Sequence, residues 1–183
     1  MVRKLLAVVG MPGAGKSEVT RVFEEGGFSR VRFGDITDSE LEKRRLELTE
    51  ANERCVRELL REEYGMAAYA RLNLNRIDSA LKHADVVIDG LYSWEEYLFL
   101  KGYYGRDFRV VAVCSSPEVR YARLNQRRNR RLSMEEAASR DRAEIENINK
   151  GGPIAMADFT IINESSLENL RSEVNKVISK LEG

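Results

Sequence analysis

Three prolines, two cysteines and one histidine in 183 residues leave several kinds of chemistry without material. Cys55 and Cys114 stand far apart, with no CxxC pair and no cysteine–histidine grouping, which argues against a disulfide framework and a zinc site and fits a reducing, cytoplasmic setting. The apolar run Leu5–Val9 is far too short to cross a bilayer and ends in a glycine rather than a cleavage site, so it reads as a first strand and no membrane partner is expected. An excess of either charge is also missing. Thirty Lys and Arg balance thirty Asp and Glu, so no overall field draws the chain to nucleic acid or an acidic surface. With few prolines, no repeat and no low-complexity tract, nothing marks a linker, and a single domain over residues 1–183 is expected. Composition leaves the oligomeric state open.

What the chain does contain is alternation. The apolar stretches Leu5–Val9, Phe28–Phe33, Val86–Asp89, Val110–Val113 and Phe159–Ile162 are separated by helical patterns, the signature of a parallel sheet with crossover helices. The longest insert, about 37–82, carries start signals at Thr37-x-x-Glu40 and Thr49. Apolar spacings at Ala51, Cys55, Leu59 and at Leu74, Ile77, Leu81 predict two or three helices there. After the fourth strand come a helix from Ser116-Pro117, the basic run Arg127, Arg128, Arg130, Arg131, and a capping box at Ser133-x-x-Glu136. A last helix starts at Ser165-x-x-Glu168 and carries an apolar stripe from Leu167 to Leu181.

Between the first strand and a helix lies Gly10-Met11-Pro12-Gly13-Ala14-Gly15-Lys16-Ser17, which satisfies the phosphate-loop pattern G-x-x-x-x-G-K-[ST] in the context that its mechanism needs. Glycines let the backbone curl so that its N–H groups face an anion, and the helix that follows adds its positive end. Lys16 then reaches the β- and γ-phosphate oxygens, and the Ser17 hydroxyl can hold Mg²⁺. A regulatory GTPase is disfavoured: Asn149-Lys150 is followed by Gly151-Gly152 rather than completing N-K-x-D, and no D-x-x-G occurs. The third strand ends in one acid, Asp89, rather than the pair typical of mechanical ATPases.

The loop with Glu18-Val19, Phe33-Gly34-Asp35, Val87-Ile88-Asp89-Gly90, Ala157-Asp158-Phe159 and Asn163-Glu164 resembles the P-loop nucleoside monophosphate kinase superfamily. More closely, it resembles an archaeal-type nucleotide-kinase-like family related to dephospho-CoA kinase, over nearly the whole chain. The resemblance implies a three-layer α/β P-loop fold with a five-stranded parallel sheet flanked by helices. It also implies a helical acceptor flap over the insert and a short arginine-rich lid over about 117–142. The activity implied is transfer of phosphate from ATP, with Mg²⁺, to dephospho-CoA or another nucleotide or nucleoside. Asp35 or Asp89 would orient the acceptor hydroxyl or hold water on Mg²⁺, with Asp89 beside Ser17 at the metal. Arg123, Arg127 and Arg128 would neutralise the transferred phosphoryl group from the lid, with Arg140 lining the same cleft.

The pattern departs from adenylate-type kinases at the acceptor. Where those carry clamp arginines, this chain reads Ile36-Thr37-Asp38 and Leu91-Tyr92-Ser93, leaving Arg44, Arg45, Arg54 or Arg57 of the flap, or an acceptor without a terminal phosphate. Tyr92, Trp94 and Tyr97 read as packing rather than base stacking, as do Cys55, Cys114 and His83 as structural residues. Backbone around Asn163 and Glu164 is expected to meet adenine, with little weight on side chains. The rival reading is an ATP-binding regulatory or adaptor module with slow turnover.

Overall fold

Every residue of Leu5–Val9 is buried, which suits a strand covered on both faces, and this segment is the centre of the sheet. The computed structural model describes residues 3–128 and 130–182, with only the backbone of Glu182. Asn129, inside the expected lid, falls outside the described residues, as do the chain's first two residues and its last.

The order is β1 (Leu5–Val9), α1 (Lys16–Glu25), β2 (Ser29–Arg32), α2 (Asp35–Arg44), α3 (Glu50–Tyr64), α4 (Ala68–Leu81), β3 (Val86–Asp89) and α5 (Trp94–Tyr104). A turn of 3-10 helix, Gly105–Asp107, leads to β4 (Phe108–Cys114), α6 (Pro117–Asn125), α7 (Met134–Glu146), α8 (Gly151–Ala155), β5 (Phe159–Ile162) and α9 (Leu167–Glu182). The strands run parallel in the order β2-β3-β1-β4-β5. Because side chains alternate along a strand, Leu5, Ala7 and Val9 face one layer with Tyr69, Ile77 and Leu100. Leu6 and Val8 face the other with Val19, Phe23, Leu170 and Val174 of α1 and α9. In register, Val8 stands beside Asp89 and Val9 beside Ala112, so the glycine loop after β1 and the ends of β3 and β4 open on one edge.

Several boundaries move. β2 is shorter than expected, since Phe28 and Phe33 are buried just outside the ladder, and β4 is longer, pairing from Phe108 to Leu5 and reaching Cys114. The insert forms three helices, but the first begins at Asp35, so Thr37 lies inside it and its buried hydroxyl meets Tyr69 Oη at 2.6 Å instead of capping. Thr49 does cap α3, accepting from Asn52 N at 3.2 Å. The inward face of α3 is Val56 and Leu60 with Glu53, leaving Ala51 and Cys55 exposed; the larger side chains bury more apolar area than Ala51 and Cys55 would. Cys55 is therefore not a packing residue. Ser133 and Glu136 make the expected capping box at α7, whereas at α9 it is Ser166 Oγ, one residue on, that accepts from Asn169 N.

Candidate active site

The loop from Gly10 to Gly15 turns because its three glycines take positive-φ conformations that other residues rarely adopt. Gly13 has φ +81° and Gly15 +99°, and a Cβ on Gly13 would come within 2.6 Å of the Arg120 carbonyl. Ala14 N closes the turn on Met11 O at 3.2 Å. Lys16 folds back over the loop, donating to Gly10 O at 2.8 Å and Met11 O at 3.1 Å. Ser17 is exposed at the first turn of α1, where the helix presents its free N–H groups.

The lid helices are bolted to this loop by a pair that the sequence did not advertise. Arg120 of α6, 4% exposed, grips Asp141 of α7 through both nitrogens at 2.9 and 2.6 Å and also donates to Pro12 O at 3.1 Å. Asp141 thus places the adjacent Arg140, and Glu144 one turn further, beside the phosphate loop. Glu144 accepts from Lys150 Nζ at 2.5 Å and Arg140 Nε at 3.2 Å. Burial alone would raise the Glu144 carboxyl, but Lys150, Arg140 and Lys16 drive it down to about 2. Lys16 responds in the opposite sense: burial, then the charge of Lys150, lowers its ammonium to about 7 against the pull of Glu144 and Asp89.

Of the lid arginines, Arg127 is exposed and has no carboxylate partner among the described residues. Desolvation by its surroundings and the like charges of Arg140 and Arg130 lower its guanidinium from the ordinary value. Arg128 is exposed. Arg130 is ion-paired with the buried Glu53, and Arg140 stands 3.7 Å from Glu50, so the lid touches the flap helix α3. Arg123 points elsewhere, donating to Ser115 Oγ at 3.2 Å and Asn163 O at 3.0 Å where the loops after β4 and β5 meet. There the expectation for Asn163 is corrected: its buried side chain donates to Ala14 O at 2.8 Å, tying the β5 end to the phosphate loop, so its identity matters.

The two candidate acids differ in setting. Asp89 is nearly covered, is ion-paired with Arg30 of β2, and lies close enough to Lys16 to act on its charge. Asp35, more open, accepts from Arg32 at 2.9 Å and Arg76 at 2.6 Å; burial opposes ionisation, but those two arginines hold its carboxyl below the usual range. Both are thus oriented carboxylates. In the flap, Arg44 pairs with Glu40, Arg54 with Glu58 and Arg57 with Glu50, so three of the four expected clamp arginines already have partners. Arg61, which the sequence reading passed over, lies over the Tyr69 ring at 5.6 Å, and its buried Nε has no partner among the described residues. Its i+4 spacing from Arg57 was the available clue. Tyr92 and Trp94 pack against the core and Tyr97 is within it, Trp94 stacking on Tyr97 at 5.1 Å.

No group of three metal-ligating side chains occurs among the described residues. The donor set fits a hard cation that keeps waters and binds phosphate oxygens: one hydroxyl, Ser17, and one carboxylate, Asp89, at the end of the neighbouring strand. No helix of the described residues is long and apolar enough to cross a membrane.

An AAA domain family matches residues 6–147. A UPF0200 protein of Thermococcus kodakarensis is 37% identical over 181 residues, covering 97% of each chain, and one of Hyperthermus butylicus is 34% identical over 99% of this chain and 96% of that one. Among solved structures, TT1252 of Thermus thermophilus superposes over all of both chains with TM-score 0.68 at 22% identity. A shikimate kinase of Bacteroides thetaiotaomicron gives 0.64 at 16% identity, covering 98% of this chain and 99% of that one. A gluconokinase of Sinorhizobium meliloti gives 0.60 at 15%, covering 98% and 94%. At these identities the three share the fold, that of P-loop kinases.

Proposed function

The chain belongs to the UPF0200 proteins, within the AAA domain family, and we propose that it is an ATP-dependent phosphotransferase acting on a small nucleotide-like acceptor. The observation that supports this most is the joining of a glycine loop and Lys16 to lid cations Arg140 and Arg127 through the Arg120–Asp141 clamp. A polyanion held on the loop N–H groups and the α1 terminus draws Lys16 off the carbonyls of Gly10 and Met11 and onto its phosphate oxygens. Arg127 and Arg140 then neutralise the phosphoryl group in transit, and closure of lid on flap excludes water. Ser17 and Asp89 are the residues that would hold Mg²⁺, which would offset the charge of the phosphate oxygens. Asp89, paired with Arg30, or Asp35, held by Arg32 and Arg76, accepts the hydrogen bond of the acceptor hydroxyl and aims its oxygen along the line of transfer.

The test is coupled ADP release with ATP and Mg²⁺ against dephospho-CoA, nucleoside monophosphates, deoxynucleosides and no acceptor. One acceptor well above the blank supports the kinase and names its substrate class. Equal, slow release in every well sinks the transferase reading in favour of a regulatory ATPase.

A further inference from the structure

Lys150 is hard to explain as packing. It sits in the turn between α7 and α8 and is 2% exposed, in a place where an ammonium loses most of its hydration. Of its three N–H donors, one is used on Glu144 at 2.5 Å, and the ring of Tyr92 lies 5.6 Å from Nζ. No other hydrogen bond from Nζ is made among the described residues. Its neighbours are cations: Arg140 shares Glu144 with it, and Lys16 lies within reach of its charge. Glu50 at 3.7 Å from Arg140 and Asp89 near Lys16 offset part of the repulsion among these cations, but Lys150 has only Glu144 as an ion-pair partner among the described residues and shares it with Arg140. Nor is the placement incidental. The Arg120–Asp141 clamp, anchored to Pro12 O, fixes α7 against the phosphate loop, and Glu144 follows Asp141 by one turn.

We infer that Lys150 is a second phosphate-binding lysine of the nucleotide site, reaching the γ-phosphate of a nucleoside triphosphate, and that Glu144 fills the phosphate's electrostatic place until nucleotide enters. This rests on the phosphotransferase reading above. The triphosphate competes with Glu144 for Lys150, Lys16 and Arg140, so removing the carboxylate strengthens triphosphate binding, whereas removing the lysine weakens it. A diphosphate keeps Lys16 for its β-phosphate but lacks the γ-phosphate that Lys150 would meet, so it feels either change much less. A merely structural Lys150–Glu144 pair would lack this opposition of signs.

The experiment is calorimetric titration of ADP and of the β,γ-imido analogue of ATP into wild type, Lys150→Met, Lys150→Arg and Glu144→Gln, each checked for folding by circular dichroism. Lys150→Met is expected to weaken the analogue by on the order of ten- to a hundredfold, the range for a hydrogen bond to a charged group, with ADP shifted by less than threefold. Lys150→Arg recovers part of the loss, and Glu144→Gln tightens the analogue severalfold. Equal weakening of both nucleotides by Lys150→Met, or weaker analogue binding in Glu144→Gln, overturns the inference. If Lys150→Met does not fold, the sign of the Glu144→Gln effect decides alone. Failure of the wild type to bind either nucleotide would instead overturn the phosphotransferase reading itself, whereas normal wild-type binding with no change in either variant overturns only the role of Lys150.

Discussion

Glu96 offers a quantitative test of how the site's supporting wall is built. It closes the capping box of α5, with Oε2 accepting from Tyr92 N at 2.8 Å and Ser93 N at 3.3 Å, while Oε1 is buried without a partner among the described residues. Burial pushes its carboxyl up to about 7 from 4.5, more than the two N–H donors pull it down. The folded protein therefore holds a proton that the unfolded chain releases. Stability from this group is fully present below pH 4.5 and is lost as pH rises through about 7. The whole displacement is worth about 3 kcal/mol, and most of it, about 2–3 kcal/mol, falls between pH 5 and 8. Glu96→Gln retains an oxygen for the two donors but cannot ionise. Urea titrations of both proteins at pH 5, 6, 7 and 8 should show the wild type losing ground to the variant by about 1 M in midpoint across that range, for a slope of roughly 2–3 kcal/mol/M. A wild-type minus variant difference that is the same at pH 5 and pH 8 would refute the reasoning.

Three further outcomes are expected. Because Lys16 is held down to about 7 and binds phosphate when protonated, metal-free ATP affinity should fall about tenfold per pH unit above 7. Calorimetry from pH 7 to 9 checks this, and Lys16→Ala should bind weakly at every pH while remaining folded and losing phosphoryl transfer. Arg120→Met leaves Asp141 buried without its partner and should cost about 3–5 kcal/mol in urea denaturation, with Arg120→Met/Asp141→Leu recovering much of it. Gly13→Ala combines a positive φ, worth about 1–2 kcal/mol of strain, with a backbone clash, and should remove nucleotide binding in calorimetry even where thermal melting shows a folded protein.

The sequence by itself determined the sheet and the loop. Five short apolar runs separated by helical patterns can be buried only as parallel strands with crossovers, and glycine spacing followed by Lys16 and Ser17 specifies an anion-binding turn through local backbone geometry alone. Capping at Thr49 and Ser133 was legible for the same reason, since a cap and its partner lie within one turn. The face of α3 was not, because Ala51 and Cys55 keep helical spacing as well as Val56 and Leu60 do. Only packing against α2 and α4 decided which side turned inward. Nor could the chain's order reveal that Arg120 meets Asp141 and Pro12, that Asn163 meets Ala14, or that the charge of Lys150 reaches Lys16. These groups are separated by 21 to 149 positions, and the physical reason that they meet is the parallel sheet, which carries every strand end to one edge and makes neighbours of residues that local sequence cannot relate.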